Sequence, residues 1–288
     1  MQKNFETRTS LYQINEWPLR FHEDIYQQYP YMKLGVQKSV AHYANFLATM
    51  VEEIMDNNPE CSEWVITAPP YYKLPAGANL ISWAVFRMML QRQVGRTDQT
   101  ILLVNQLKKK TDTSLKNAID FSHYTDYCKF SYQERLLSVS QRRYTINEQD
   151  FRNKVVIFIN DINVTGASQE YMRSKLMKAL PKAVHWLYII DCDKTIGRNE
   201  PQLEYLINNF KLPSVQEFGT ILAGEELQHT VKCINKIFAC SATEMEQLLS
   251  MLNNKQMERL LHLIEEEGNY NSALFAENIG LLKARCRS

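Results

Sequence analysis

The sequence predicts an α/β fold: a parallel sheet wound on both faces by helices and extended at its C-terminal end by a helical block. Three observations carry this reading. Short apolar runs rich in β-branched residues (Trp64–Thr67, Thr100–Val104, the run starting at Val155, and Val184–Ile190) alternate with stretches of helical periodicity. Each run ends in a polar or proline- and glycine-bearing loop, the place where such sheets bind ligands. From about Glu200 onward the apolar runs stop and helix signals take over. The chain therefore divides into a helical N-terminal arm or cap over 1–60, an α/β core over 61–199 and an α-helical extension over 200–288.

The elements follow in order. Residues 1–34 are aromatic but poorly periodic and read as an ordered arm. Val36, Val40, Tyr43, Phe46, Leu47, Met50 and Ile54 then fall on one helical stripe that ends before DNNPECSE. After Thr67 the block APPYYKLPAGANL is a loop by its prolines and glycine, and a helix covers Ile81 to Gln93. The second strand ends at the basic cluster QLKKKTDTS, and 111–150 is polar and aromatic with weak periodicity. In the extension, Ser241-Ala-Thr-Glu244 forms a capping box, KQMERLLHLIEEE is amphipathic and stops at Gly268, and SALFAENIGLLKAR closes the chain.

Composition limits the function classes. The 288 residues carry 33 Lys+Arg against 32 Asp+Glu, so no global charge argues for nucleic acid or an anionic membrane. No apolar run approaches the ~20 residues needed to cross a bilayer, and MQKNFETRTS lacks the apolar core of a secretion signal. The six cysteines lack paired spacing, which fits reduced thiols and a cytoplasmic location. His229, Cys233 and Cys240 share a helical face but lack a fourth ligand, and cysteine is also a common core residue.

The chemistry concentrates in VVIFINDINVTGAS, Val155 to Ser168. A buried strand runs into Asn160-Asp161, then into a turn holding Thr165-Gly166-Ala167-Ser168, then into a helix. Exposed N–H groups at a glycine turn, backed by a helix dipole, make an anion site. Glycine lets the backbone approach a phosphate without a side chain between them. The bland alternative is an ordinary βα turn with an N-capped helix.

The run resembles the PRPP-binding motif of type I phosphoribosyltransferases, where PRPP is 5-phosphoribosyl 1-pyrophosphate. Asn160 stands where the motif has its first acid, and Val164 replaces its first loop threonine. Other segments resemble the ComF-like branch in the same order: TAPPYYKLPAGANLISWA, with Gly77 and Asn79 at Gly-x-Asn positions; LKKKTDTS; and FSYQERLLSVSQRRYTI. Taken alone, the first is also a proline-stiffened turn and the lysine run a solvated turn.

The resemblance implies a phosphoribosyltransferase-like, Rossmann-like core. It also implies that Thr165, Gly166, Ala167 and Ser168 anchor a 5′-phosphate, with Asn160, Asp161 and Asn163 beside the ribose. Asp161 and Lys73 are the catalytic candidates. Lys73, Gly77, Lys108, Lys109, Lys110, Arg135 and Arg142 are the candidates for pyrophosphate. Magnesium is implied with PRPP, held indirectly through Asp161. Asp191 and Asp193 either touch the ligand or cap the next turn.

The function this implies is transfer of ribose 5-phosphate from PRPP to a nitrogen nucleophile, with release of pyrophosphate. The alternative is a non-catalytic PRPP or nucleotide sensor, or an interaction protein using the same pocket, motivated by the amide at 160. A third reading is a loop for another phosphorylated ligand. The implied partner is a small phosphorylated sugar or nucleotide, with a homodimer or protein partner on the C-terminal helices.

Overall fold

The computed structural model describes residues 5–16, 22–92, 98–105, 128, 130–141, 146–211, 213–224, 226–268, 270 and 273–287. Five strands form one all-parallel sheet of order β1-β5-β4-β2-β3, with β1 Phe5–Ile14, β2 Glu63–Thr67, β3 Thr100–Val104, β4 Val155–Asn163 and β5 Ala183–Cys192. The four core strands read from the sequence are thus present, and all run parallel. The helices are α1 Glu23–Leu34, α2 Gln37–Asp56, α3 Gly77–Arg92, α4 Tyr132–Gln141, α5 Ala167–Leu176 and α6 Lys194–Asn199. The C-terminal block continues with α7 Leu203–Asn209, α8 Val215–Ala223, α9 Val231–Phe238, α10 Ala242–Met251, α11 Asn254–Glu267 and α12 Ala273–Arg287.

Alternation along β4 builds two cores. Val155, Ile157 and Ile159 face α1–α3, joining Tyr29, Tyr43, Leu47, Trp64, Ile66 and Leu80. Val156 and Phe158 face α5, joining Met172, Leu176, Val184 and Trp186. The Phe158 and Trp186 rings lie 4.8 Å apart between centroids. A third cluster, from Phe218 to Leu282, is the core of the C-terminal helices and also takes in Leu34 and Leu74. The extension is therefore packed onto the α/β core at the end of α1 and at the loop after β2.

The N-terminal arm is not wholly helical, which corrects the sequence reading. Phe5–Ile14 is an edge strand parallel to β5, from Phe5 opposite Ala183 to Ile14 opposite Cys192. Its polar residues hid it: Glu6 bonds Arg173, and Arg8 bonds Asp191 at 2.9 Å. Charges at positions whose partners lie far along the chain erase the period-2 pattern that marks a half-buried strand. Phe46, read as part of the buried stripe of α2, is 47% exposed, whereas Val40, Tyr43 and Leu47 are buried.

The helix-end signals are realised. Ser241 and Glu244 form the reciprocal capping box at α10, and Gly268 ends α11 at φ 68°. Gly35 ends α1 at φ 94°, its N–H donating to the carbonyls of Tyr31 and Met32. Among the described residues no helix is long and apolar enough to cross a membrane.

Truncating Phe158 to Ala would leave a cavity between β4 and α5 that the sheet, held by its pairings to β2 and β5, cannot close to fill. We expect a loss of about 3–5 kcal/mol in urea unfolding.

Candidate functional site: the carboxyl edge between β2 and β4

The strand order sets the site. After β2 the chain crosses over through α3 to β3 on one side; after β4 it crosses through α5 to β5 on the other. The neighbours β2 and β4 thus send their helices apart, leaving a crevice at their carboxyl ends. The loop after Thr67 and the loop after Asn163 flank it.

Beyond Asn163 the backbone turns through Val164 and Thr165 to Gly166, which adopts φ 82° as the N-cap of α5. No atom lies within 4 Å of where a Cβ on Gly166 would stand. Thr165 is 2% exposed and turns inward, its Oγ1 accepting the Ala167 N–H at 3.3 Å. The amides that follow open the first turn of a ten-residue helix, where no intrahelical carbonyl can receive them. The result is a concave turn of backbone donors on a helix's positive end.

Support for this turn comes from behind. Asn163 Nδ2 donates to Asp191 Oδ1 at 2.8 Å and to Gln169 Oε1 at 3.4 Å. Asp191 in turn pairs with Arg8. Gly197 of α6 packs so closely that a Cβ there would meet the Val164 carbonyl oxygen at 1.9 Å. Asp193 caps α6 by accepting from the amides of Thr195 and Ile196. Asn163 and Asp191 therefore hold the loop in place, and Asp193 takes the capping role weighed for it.

Asp161 projects to the α1 face and is 5% exposed. Its Oδ1 accepts the N–H of Ile162 at 2.9 Å, and its Oδ2 meets Lys33 Nζ at 2.5 Å. Lys33 also lies 3.9 Å from Glu204, which pairs with Arg135 at 2.8 Å. Two acids and two bases thus alternate in a buried row, with the Tyr29 ring 5.7 Å from Lys33 Nζ. Burial disfavours the Lys33 charge, but Asp161 and Glu204 outweigh it and raise its pKa. Burial likewise opposes ionisation of Glu204, yet Arg135 and Lys33 hold its pKa below the usual carboxylate value. Asn160 lies on the opposite side of β4, its amide donating to the Ile162 carbonyl at 3.2 Å.

Arg135 is used differently from the pyrophosphate role expected of it. It is 3% exposed within α4, and its guanidinium donates to the carbonyls of Phe130, Cys128 and Pro201 as well as to Glu204. Arg142 and the lysines 108, 109 and 110 lie outside the described residues.

The loop after β2 is a closed unit. Asn79 accepts the Ala76 N–H and donates to the Pro69 carbonyl, both at 2.8 Å. The Lys73 side chain is exposed, but its backbone N–H and that of Leu74 both donate to one oxygen of Glu267, at 3.0 and 2.8 Å. Gly77 opens α3 against the end of α1: a Cβ there would stand 2.7 Å from Met32 Sδ and 3.5 Å from the Lys33 Cα. The structure thus brings Asp161, Gly77 and the Thr165–Ser168 turn to one edge. Among the described residues no group of three or more His, Cys, Asp or Glu could hold a metal ion, and His229, Cys233 and Cys240 make none.

The fold, the crevice and the glycine turn agree with a family match. A family model described as PRTase ComF-like matches residues 5–282. The chain belongs to the ComF-like PRTase family. It carries a phosphoribosyltransferase-like domain, and the match spans β1 and the C-terminal helices as well as the motif. No curated protein matches the chain.

Sequence reasoning missed Lys33, Glu204 and Glu267. Lys33 and Glu204 carry no local signal, since Lys33 finds Asp161 across 128 residues and Glu204 finds Arg135 across 69 residues. Glu267 had one: an acid in the last turn of a helix opposes the dipole unless something else holds it.

Replacing Lys33 by Met leaves Asp161 in the interior without its ammonium partner, while Glu204 keeps Arg135. We expect a loss of about 3–5 kcal/mol in denaturant unfolding, part of it recovered by adding Asp161→Asn. The depressed pKa of Glu204 stabilises the fold above its unfolded value of about 4.5 and is lost as pH falls through the lower folded value. Acid titration of Glu204→Gln should show a shallower fall of stability below that pH.

Proposed function

We propose that the protein binds a 5-phosphorylated ribosyl ligand at the carboxyl edge between β2 and β4, with the phosphate on the Thr165–Ser168 turn. The observation that carries this reading is Gly166: a left-handed φ of 82°, open space above it, and the first turn of α5 behind it. Left-handed backbone at the head of a helix aims successive N–H groups at one point, the geometry an anion needs. The family match supports a phosphorylated ribosyl ligand over other anions.

Of the transferase and sensor readings, binding without turnover has the better support. Asn160 supplies no charge where the motif has an acid, and Asp161 already has Lys33 on one oxygen and the Ile162 amide on the other. A magnesium ion prefers carboxylate and phosphate oxygens in an octahedral shell. A carboxylate covered by an ammonium group and an amide neighbour fit it poorly.

The transferase reading is supported by the family match and by the exposed Lys73 at the rim of the crevice. In that reaction the bond from ribose C1 to pyrophosphate oxygen breaks, a nitrogen bonds to C1 and gives up its proton, and Lys73 faces the departing charge. Catalysis would then rest on positioning and charge neutralisation.

Calorimetry with ribose 5-phosphate, a nucleoside 5′-monophosphate and PRPP tests the binding claim. We expect affinity for all three, and absence of heat at millimolar ligand would overturn it. Ser168→Asp places a carboxylate at the anion seat while favouring the helix terminus, so folding should survive. Affinity should fall by about tenfold or more. Pyrophosphate release from PRPP with a panel of purine, pyrimidine and amine acceptors would restore the transferase reading.

A further inference from the structure

Among the described residues, the loop after β2 and the turn after β4 both bring backbone donors to the crevice, and they differ in one respect. Above Gly166 there is open space, whereas the adjacent amides of Lys73 and Leu74 already share a carboxylate oxygen. That oxygen belongs to Glu267, 5% exposed and nearly two hundred residues away in sequence. Consecutive amides converging on one oxygen form a small anion seat. This one is filled from within the chain.

Several contacts keep the carboxylate there. Glu267 is the last residue of α11, immediately before the left-handed Gly268, whose N–H donates to the Ile264 carbonyl. Leu74 is buried in the core of the C-terminal helices. The Val231 N–H donates to the Pro75 carbonyl at 3.0 Å, and Thr230 Oγ1 donates to the Lys33 carbonyl at 2.7 Å. An acid at a helix C-terminus is disfavoured by the dipole. The loop amides supply the compensation that the helix does not.

We infer that Glu267 is a specificity-determining residue: its carboxylate stands in for a second anionic group, so this chain gives pyrophosphate-bearing donors no preference over ribosyl 5′-monophosphates. The inference rests on the phosphate reading of the Thr165–Ser168 turn. A pyrophosphate entering beside Lys73 meets a buried carboxylate instead of free amides, and like charges at that range repel. Lys33 acts in the same sense, since its ammonium is already paired with Asp161.

Calorimetry on the full chain compares ribose 5-phosphate, PRPP and inorganic pyrophosphate, with Glu267→Ala and Glu267→Gln beside the native protein. The native protein should bind ribose 5-phosphate and PRPP within about threefold of each other, and inorganic pyrophosphate not at all at millimolar concentration. In Glu267→Ala the ratio should move toward PRPP by about tenfold or more. Native PRPP affinity more than about tenfold above that for ribose 5-phosphate would overturn the inference and leave the phosphate turn standing. Loss of both sugars would overturn both. If the alanine variant does not fold, Glu267→Gln keeps the packing and removes the charge; an unmoved ratio there counts against the inference, and the native ratio decides it in either case.

Discussion

The ion pair between Lys33 and Asp161 is the constraint on which the rest of the site depends. It joins the end of the first helix to the carboxyl end of the central strand, across 128 positions of sequence. Through Glu204 and Arg135 it continues into α7 and α4, so four separate elements meet in one neutral row. Charges buried this way are costly singly and tolerable only together. The end of α1 is therefore fixed over the crevice, and with it Gly77, the start of α3 and the Thr230–Lys33 and Val231–Pro75 junctions to the C-terminal helices.

That constraint also decides what the edge offers a ligand. A strand-end carboxylate with free oxygens would serve sugar hydroxyls or a metal ion; the one here is engaged on both sides. The loop after β2 has its adjacent amides on Glu267. What stays open is the glycine turn before α5. A phosphoribosyltransferase-like framework is thus combined with an edge at which the proposed ligand would meet the open donors of the glycine turn.

Much of this was legible in the sequence. The buried strands announced themselves as β-branched runs because burial on both faces removes polar residues, and the turn from Thr165 to Ser168 was readable because its conformation needs glycine. Local helix-end signals such as Ser241–Glu244 and Gly268 were equally plain. Phe5–Ile14 was not, since Glu6 and Arg8 sit on an edge strand for partners in α5 and β5. Arg135 misled for the same reason. An arginine near other basic residues resembles a phosphate ligand until Glu204 and three carbonyls are found around it. Pairings of this kind are set by tertiary approach, and no spacing in the chain encodes them.

Backbone amide chemical shifts during titration with PRPP test the central claim most directly, because both loops are read in one experiment. Large shifts are expected at Gly166, Ala167 and Ser168 and none at Lys73 and Leu74, whose N–H groups stay on Glu267. Movement of Lys73 and Leu74 together with the glycine turn would contradict it, showing that the pyrophosphate displaces the internal carboxylate.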